Sequence, residues 1–342
     1  MTLTPPSISP SPPSAPAAGP ARSRWKRGRV LAVLAVLAGL VMMLHAWIPD
    51  VGGLGSLVET FLPWGGAVAV VLLVLAVLRR SATALVAVLL PVAVWLSLFG
   101  GLLTDKSGAA GELTVVSHNV GAENPDPVGT ARALAASGAD VLALEELAAG
   151  ARETYERELA RTYPHHAVRG TVGLWSRLPL SDVRAVDTAM DVGPLGDAEP
   201  ESATMPDNRA LRATVTTERG PLAVYVAHLG SVRVTPRTGF GTETRNRNAE
   251  ALGEALAAER SGRVVLLGDF NGTADDRALH SITSRLSSAQ EEAGDGFGFT
   301  WPAAFPVARI DQILVRGVEP SRARVLAGTG SDHLPVAADV SW

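Results

Sequence analysis

Three apolar runs crowd the first third of the chain, at residues 30–48, 61–78 and 82–103. Each is close to the ~20 residues that cross a ~30 Å hydrocarbon core as a helix, and together they predict three transmembrane helices over 30–103. A signal peptide would account for the basic flank and the first run, but no small-residue cleavage site follows Ile48 and two further apolar runs do. Arg22, Arg24, Lys26, Arg27 and Arg29 precede the first run, Arg79 and Arg80 follow the second, and the 49–63 loop carries no Lys or Arg. The positive-inside rule then puts the N-terminus in the cytoplasm and everything after Leu103 outside the cell, in a multi-pass protein. Residues 1–29 are a Pro/Ser/Ala-rich tail ending in the basic run, expected to be disordered and cytoplasmic. Trp47, Trp64 and Trp95 fall near span ends and are expected to anchor there, Pro91 to kink the third helix, and His45 to sit at the interface.

Charge sets the two parts of the chain apart. Seven of the 30 Lys+Arg and two of the 34 Asp+Glu lie in residues 1–103, leaving 23 basic against 32 acidic residues beyond, a net of −9. That balance disfavours a surface that coats nucleic acid. With no cysteine in the chain, disulfides, thiolate metal sites and cysteine catalysis are excluded.

Residues 112–342 are long enough for one substantial core. Strands are expected at 113–117, 141–144, 171–175, 211–216, 222–228, 263–267, 309–315 and 335–341, and helices at 128–137, 148–160, 245–259 and 274–286. Several of these strands are apolar on both faces, the pattern of a sheet covered on each side.

Polar residues gather at the ends of these buried strands. Asn119 closes the first, Glu145-Glu146 the second and His228 the fifth. Asp269 and Asn271 follow Val264-Val-Leu-Leu-Gly268, Asp311 lies in Arg309-Ile-Asp-Gln-Ile313, and Ser331-Asp-His-Leu-Pro335 begins the last strand. Buried carboxylates must be paired, hydrogen-bonded or metal-bound, so carboxylates converging with His and Asn side chains imply a hard cation. Oxygen-rich ligation without cysteine favours Mg²⁺, or Mn²⁺, over zinc.

In sequence and order these segments resemble the endonuclease/exonuclease/phosphatase (DNase I-like) superfamily across about 112–342. The Gly268-Asp-Phe-Asn271 and Ser331-Asp-His-Leu-Pro335 motifs carry most of that likeness. It implies an α/β (α+β) four-layer sandwich of two packed mixed β-sheets flanked by helices, with a metal-dependent active site at one edge. Residue by residue, it makes Asn119 and Glu146 metal ligands, with Asp332 contributing from the opposite side. Asp269 and Asn271 would position and activate the attacking water, His228 would contact phosphate oxygens or protonate the leaving group, and Asp311 would hold His333 as a cation beside the phosphorus. Glu145 stands where the family usually has Gln, an extra charge expected to alter metal affinity.

Further residues carry weaker expectations. His118, one residue before Asn119, should point to the opposite face and pack in the core. His165-His166 should be surface residues, and Asn124 and Asp126 turn formers. Arg233, Arg237, Arg245 and Arg247 follow His228 and either clamp a second phosphate or headgroup or lie on a solvated face. Arg209, Trp301 and Pro302 are candidates to line the pocket.

The small multi-pass segment ahead of this domain also resembles the membrane-bound VanJ type, actinobacterial proteins associated with resistance to teicoplanin-class glycopeptides. That likeness implies hydrolysis of a cell-wall lipid phosphate, such as undecaprenyl pyrophosphate, outside the cell. The partners expected are a lipid-phosphate substrate and the membrane, with no specific nucleic acid and no protein partner. A membrane-tethered nuclease and a non-catalytic surface protein that binds a phosphorylated ligand or the antibiotic are the alternative readings.

Overall fold

The protein is described here by a computed structural model over residues 28–188, 209–235 and 239–342. Of the tail expected over residues 1–29, residues 1–27 lie outside the described residues, as does Arg237, and Arg29 opens the first helix. Chain order begins with helices α1 (Arg29–Met43), α2 (Leu54–Thr60), α3 (Gly65–Leu78) and α4 (Ala82–Phe99). Strands β1 (Leu113–Asn119) and β2 (Val141–Glu145) follow, with α5 (Pro127–Ala136) between them and α6 (Ala149–Leu159) after. Then come β3 (His165–Arg169), β4 (Val172–Ser176), β5 (Leu180–Ala185), β6 (Ala210–Thr217) and β7 (Gly220–His228). A small hairpin, β8 (Arg233–Thr235) and β9 (Gly239–Gly241), leads into α7 (Glu243–Ala258) and β10 (Val264–Asp269). The chain ends with α8 (His280–Thr283), β11 (Ser287–Ser288), α9 (Ala289–Ala293), β12 (Asp311–Arg316), β13 (Glu319–Val325) and β14 (Val336–Ser341).

Two six-stranded sheets form the body, in the orders β13-β14-β1-β2-β4-β3 and β11-β12-β10-β7-β6-β5. Both are mixed: β1 runs parallel to β2 and β7 parallel to β10, while their other pairings are antiparallel. Period-two alternation distributes the apolar side chains. Val141 and Ala143 of β2 meet Val224, Val226, Val265 and Leu267 of the second sheet in the central core. Leu142 and Leu144 turn the other way, onto Ala131 and Leu134 of α5 and Tyr155 and Leu159 of α6. On the far side Tyr225 and Leu266 pack on Ala249, Leu252 and Leu256 of α7. The layers are therefore helix, sheet, sheet, helix, as the double-sided apolar strands require.

All eight expected strands are present with ends shifted by at most two residues. The strands absent from the sequence reading are mostly half-exposed edge or hairpin strands, β3, β5, β8, β9 and β13, together with the two-residue β11. Polar and charged residues on an edge erase the apolar signal that marks a buried strand. The helix expected over 274–286 is instead one short 3₁₀ turn followed by the four residues of α8, because Asp276 caps the turn at Ala278 and Ser287 already pairs with β12.

The first third of the chain departs further from expectation. α4 with its 3₁₀ extension to Leu103 is a continuous 22-residue apolar helix through Pro91, and only 17% of its apolar window is buried. It is long and apolar enough to cross a membrane. The second expected span, 61–78, is present as Leu62–Leu78, but a 58° bend at Phe61 joins it to a further helical stretch, Val51–Thr60, where a loop was expected, and α1 is a shorter apolar helix of 15 residues. Among the described residues, one helix is long and apolar enough to cross, or two if the bent pair counts as one span, against the three expected. α1 presses closely on α4 at Gly39, where a Cβ would lie 2.7 Å from the Leu90 side chain. Trp64 and Trp95 are not free anchors: Trp64 donates to the Val307 carbonyl at 2.9 Å and stacks on Phe299, and Trp95 donates to the Pro63 carbonyl and packs on Phe297. His45 lies 3.3 Å from buried Glu59 at the same junction.

Gly268 fixes how closely β10 lies against β7. Its φ is +155°, and a Cβ there would fall 1.8 Å from the Ala227 carbonyl oxygen. Gly268→Ala is expected to destabilise the sandwich by about 1–3 kcal/mol, the usual cost of overpacking, read as a lowered thermal midpoint.

Candidate active site

Parallel pairing brings strand ends together, and here it does so twice. In the first sheet Asn119 at the end of β1 is registered against Glu145 at the end of β2. In the second, Asp269 is registered against His228 on one side and Asp311 on the other. The two rows meet where Asn119 Nδ2 donates to Asp269 Oδ2 at 3.0 Å across the sheet interface. The loop before β14 closes the third side. Ser331 Oγ donates to the Asn119 carbonyl at 2.7 Å and accepts from the His333 backbone N–H at 3.1 Å, and His333 Nδ1 lies 3.0 and 2.9 Å from the two oxygens of Asp311.

Two groups of metal-competent side chains result, Glu146/His228/Asp269 and Asp269/Asp311/His333, sharing Asp269. His228 Nε2 is 3.6 Å from Glu146 and 3.7 Å from Asp269, and His333 Nε2 is 3.8 Å from Asp269. Glu146 and Asn271 both adopt positive φ, at 56° and 46°. Asn tolerates that conformation, whereas for Glu it is a strained backbone of the kind that collects at functional sites. Glu146 is held there by the Ala122 N–H at 3.1 Å, and Asn271 by its own N–H to Asp269 Oδ1 at 2.8 Å and its side chain to the Leu229 carbonyl at 3.0 Å.

The electrostatics are those of an acidic pocket with one fixed cation. Burial alone would lower His333, but Asp311 and Asp269 outweigh it and hold its pKa up at about 10. His228 goes the other way, because its complete burial outweighs the pull of Glu146 and Asp269 and favours the neutral ring. Burial, opposed by His333 and reinforced by Asp311, pushes Asp269 up. For Glu146 burial is overcome by His228, Asn119 and the Ala122 N–H, and its pKa is lowered.

Glu145 behaves differently from its neighbour. It is fully buried, one oxygen accepts from Ser117 Oγ at 3.0 Å, and burial with nearby Asp311 pushes its pKa well above the usual range. Burial and Asp311 thus both work against charging Glu145, which belongs to neither metal-competent group.

These residues fit a divalent cation. Glu146, Asp269 and Asp311 outnumber the one imidazolium in a buried pocket, and neither ring nitrogen of His228 has a hydrogen-bond partner among the described residues. Buried carboxylates and an unpartnered imidazole are the oxygen and nitrogen donors such an ion takes.

Other expected residues lie elsewhere. Asp332 is exposed, accepts from Trp301 Nε1 at 3.2 Å and stands outside both metal-competent groups. Arg245 is completely buried on α7 and ion-paired with Asp276 at 2.6 Å, so it is neither a phosphate clamp nor a solvated side chain. Arg233 and Arg247 are exposed, and buried Arg209 lends its charge to lowering His228. His118 is buried against Thr329 at 2.6 Å, burial and His333 driving its pKa down to about 3. His166 is exposed and stacks on Trp175; Asp126 caps α5 and Asn124 bonds the Val120 carbonyl. Sequence reading gave no role to Ser331 or Ser117, whose short polar side chains at strand ends look like ordinary turn residues until the sheets pair.

The raised pKa of His333 has a definite sign. Its proton stabilises the fold fully below its ordinary 6.5, and that contribution is lost as pH rises through about 10. Imidazole NMR is expected to show His333 still protonated at pH 8, and Asp311→Asn to bring its titration down by at least about one pH unit, the shift a neighbouring carboxylate supplies.

A family model, the Endonuclease/Exonuclease/phosphatase family, matches residues 116–333. None of the curated protein sequences matches this one. Among solved structures, humanized D. rerio TDP2 superposes with a TM-score of 0.52 at 20% identity, covering 67% of this chain and 98% of that one. A Bacteroides thetaiotaomicron mannosyl-6-phosphatase gives 0.50 at 17% identity, covering 68% and 100%. A Leptotrichia buccalis endonuclease/exonuclease/phosphatase family protein gives 0.51 at 16% identity, covering 67% and 100%. Such identities speak for the fold, and the family model spans well over half of the chain with every motif at the strand ends just described. The chain belongs to the endonuclease/exonuclease/phosphatase family.

Proposed function

We propose that this protein is a membrane-anchored, Mg²⁺-dependent phosphohydrolase acting on a lipid (pyro)phosphate at the outer face of the cell membrane. The observation that carries the reading is where the site mouth lies relative to the apolar helices. The hairpin β8–β9, just after His228, packs on the chain between α1 and α2, where a Cβ on Gly53 would strike the Phe240 carbonyl. The 301–307 segment, which holds Asp332 through Trp301, is bonded to Trp64 at the start of α3. Both segments therefore rest on residues 53–64, where the first two apolar runs join. α1, α3 and α4 meanwhile present Val33, Leu37, Val70, Val71, Val86 and Leu89 outward. Exposed apolar helices of this kind belong in lipid rather than water. The basic residues at the first run and after the second support an extracytoplasmic site.

Members of the family are metal-dependent phosphoesterases and nucleases, and the residues present divide that work as follows. Glu146, Asn119 and the Asp269 side would hold Mg²⁺, which when bound neutralises a phosphate oxygen. Asp269 and Asn271 orient the attacking water, with Asp269 taking its proton. His228, neutral and unpartnered, donates to a non-bridging phosphate oxygen. The His333 imidazolium, fixed by Asp311, faces the negative charge that grows on the phosphoryl oxygens as the new P–O bond forms and the P–O bond to the leaving phosphate breaks, the leaving group departing as its anion. The likeness to VanJ-type proteins points to undecaprenyl pyrophosphate or a lipid-linked cell-wall precursor, and through it to teicoplanin resistance.

Full-length protein in detergent, given undecaprenyl pyrophosphate, a sphingomyelin-type diester or plasmid DNA, is expected to release phosphate from the isoprenyl substrate with Mg²⁺ and not with EDTA. Asp269→Asn is expected to cut that rate by about 10²–10⁴-fold, the range of a lost general base. Nicking of DNA with no isoprenyl turnover would overturn the lipid reading in favour of a nuclease.

A further inference from the structure

We infer that the short helix between the first two apolar runs is part of the active-site scaffold, with Ser56 of α2 positioning the Asp269–Asn271 loop through Arg245. The inference rests on the reading of Asp269 and Asn271 as site residues. Ser56 is completely buried. Its Oγ accepts from Arg245 Nη2 at 2.9 Å and donates to Asp276 Oδ1 at 3.2 Å, so the hydroxyl bridges both members of a buried ion pair. The other guanidinium nitrogen, Nη1, donates to the Asn271 carbonyl at 3.2 Å. The same nitrogen lies against Gly272, where a Cβ would come within 2.7 Å of it, and Gln312 holds the Gly272 carbonyl from below at 3.0 Å. Asn271 thus keeps its positive φ between its bonds to Asp269 and a guanidinium held by Ser56 and Asp276 and, from its own helix, by Asn246 Oδ1, which accepts from Nε at 3.0 Å and Nη2 at 2.7 Å.

α2 is itself clamped to the sandwich. Arg277, next to Asp276, donates through its backbone N–H and Nε to buried Glu59 at 3.0–3.1 Å. Its remaining nitrogens cap the carbonyls of His45, Ala46 and Ile48 at the end of the first apolar helix. A buried ion pair tolerates little displacement, because losing one partner leaves an uncompensated charge. Movement of α2 must therefore carry Arg245 and the Asn271 loop with it. The family model starts at residue 116, and a third of this chain lies outside its match to the solved structures, so Ser56 and Glu59 belong to a segment that the family region lacks. Arg245 and Ser56 are positioning residues: buried beneath the loop, they touch no substrate.

Full-length Ser56→Ala and Ser56→Cys tests this, the Cys variant filling the space that Ala leaves. Both are expected to lower kcat about tenfold on undecaprenyl pyrophosphate or bis(p-nitrophenyl) phosphate, with KM within about twofold, since a displaced catalytic loop costs turnover more than binding. Glu59→Gln, at the clamp rather than the loop, is expected to act in the same direction. Backbone amide exchange over residues 270–276 is expected to quicken in Ser56→Ala with β1 unchanged, a reading that needs no turnover. Parental kcat and exchange in Ser56→Ala would overturn the inference. A Ser56→Cys protein restored to parental behaviour would do so too, by reducing Ser56 to packing. Failure of the proposed function looks different: Asp269→Asn would match the parent, or no probe would turn over, while the exchange measurement still decides the coupling.

Discussion

The hydrogen bond from Asn119 to Asp269 joins the last residues of two strands from two different sheets, and the organisation of the pocket depends on that junction. It exists because β1 pairs parallel with β2 and β7 parallel with β10, so that each sheet delivers its polar strand ends to the same edge. Apolar side chains on both faces of those strands force helices to cover the outer surfaces and the sheets to meet in the middle, leaving the edge as the one place where carboxylates can gather. Gly268 matters for the same reason, since only a residue without a side chain lets β10 approach β7 closely enough to hold Asp269 in register with His228.

Gathering acids in a buried edge has a cost that the pocket meets in three ways. Burial pushes Glu145 toward its neutral acid, Asp311 holds His333 toward its cation, and the remaining carboxylates with His228, whose ring nitrogens have no hydrogen-bond partner among the described residues, make a place for a divalent ion. Adjacent Glu145 and Glu146 illustrate how local this is: one points into the core against Ser117, the other turns out on a left-handed backbone toward His228.

The apolar helices and the sandwich meet through polar groups that a membrane segment would not ordinarily carry. Glu59 is the single acid between residues 51 and 104, and it is buried against Arg277. A lone ionisable group among apolar runs is a functional marker in principle, but its partner lies 218 residues away. Trp64 and Trp95 show the same ambiguity, since an amphipathic ring suits a lipid interface and a protein contact equally well, and here both bond to backbone carbonyls.

By itself the sequence determined the eight buried strands and the set of polar residues at their ends, because strand burial and strand termination are local properties written in apolar runs and the residues that close them; the four-layer sandwich was implied by the family likeness of those motifs. It also marked the helical first third, though apolar length alone could not reveal the helical stretch Val51–Thr60 that meets the second run at a bend. Tertiary structure decided what pairing across the chain decides. It placed Asp332 outside the metal-competent groups, buried Arg245, expected at a phosphate or on a solvated face, against Asp276, turned Glu145 into the core against Ser117, and recruited Ser331 and Ser56 to the pocket's support. Burial, register and the nearest charge are long-range quantities, and no spacing along the chain encodes which of two adjacent carboxylates will face the core.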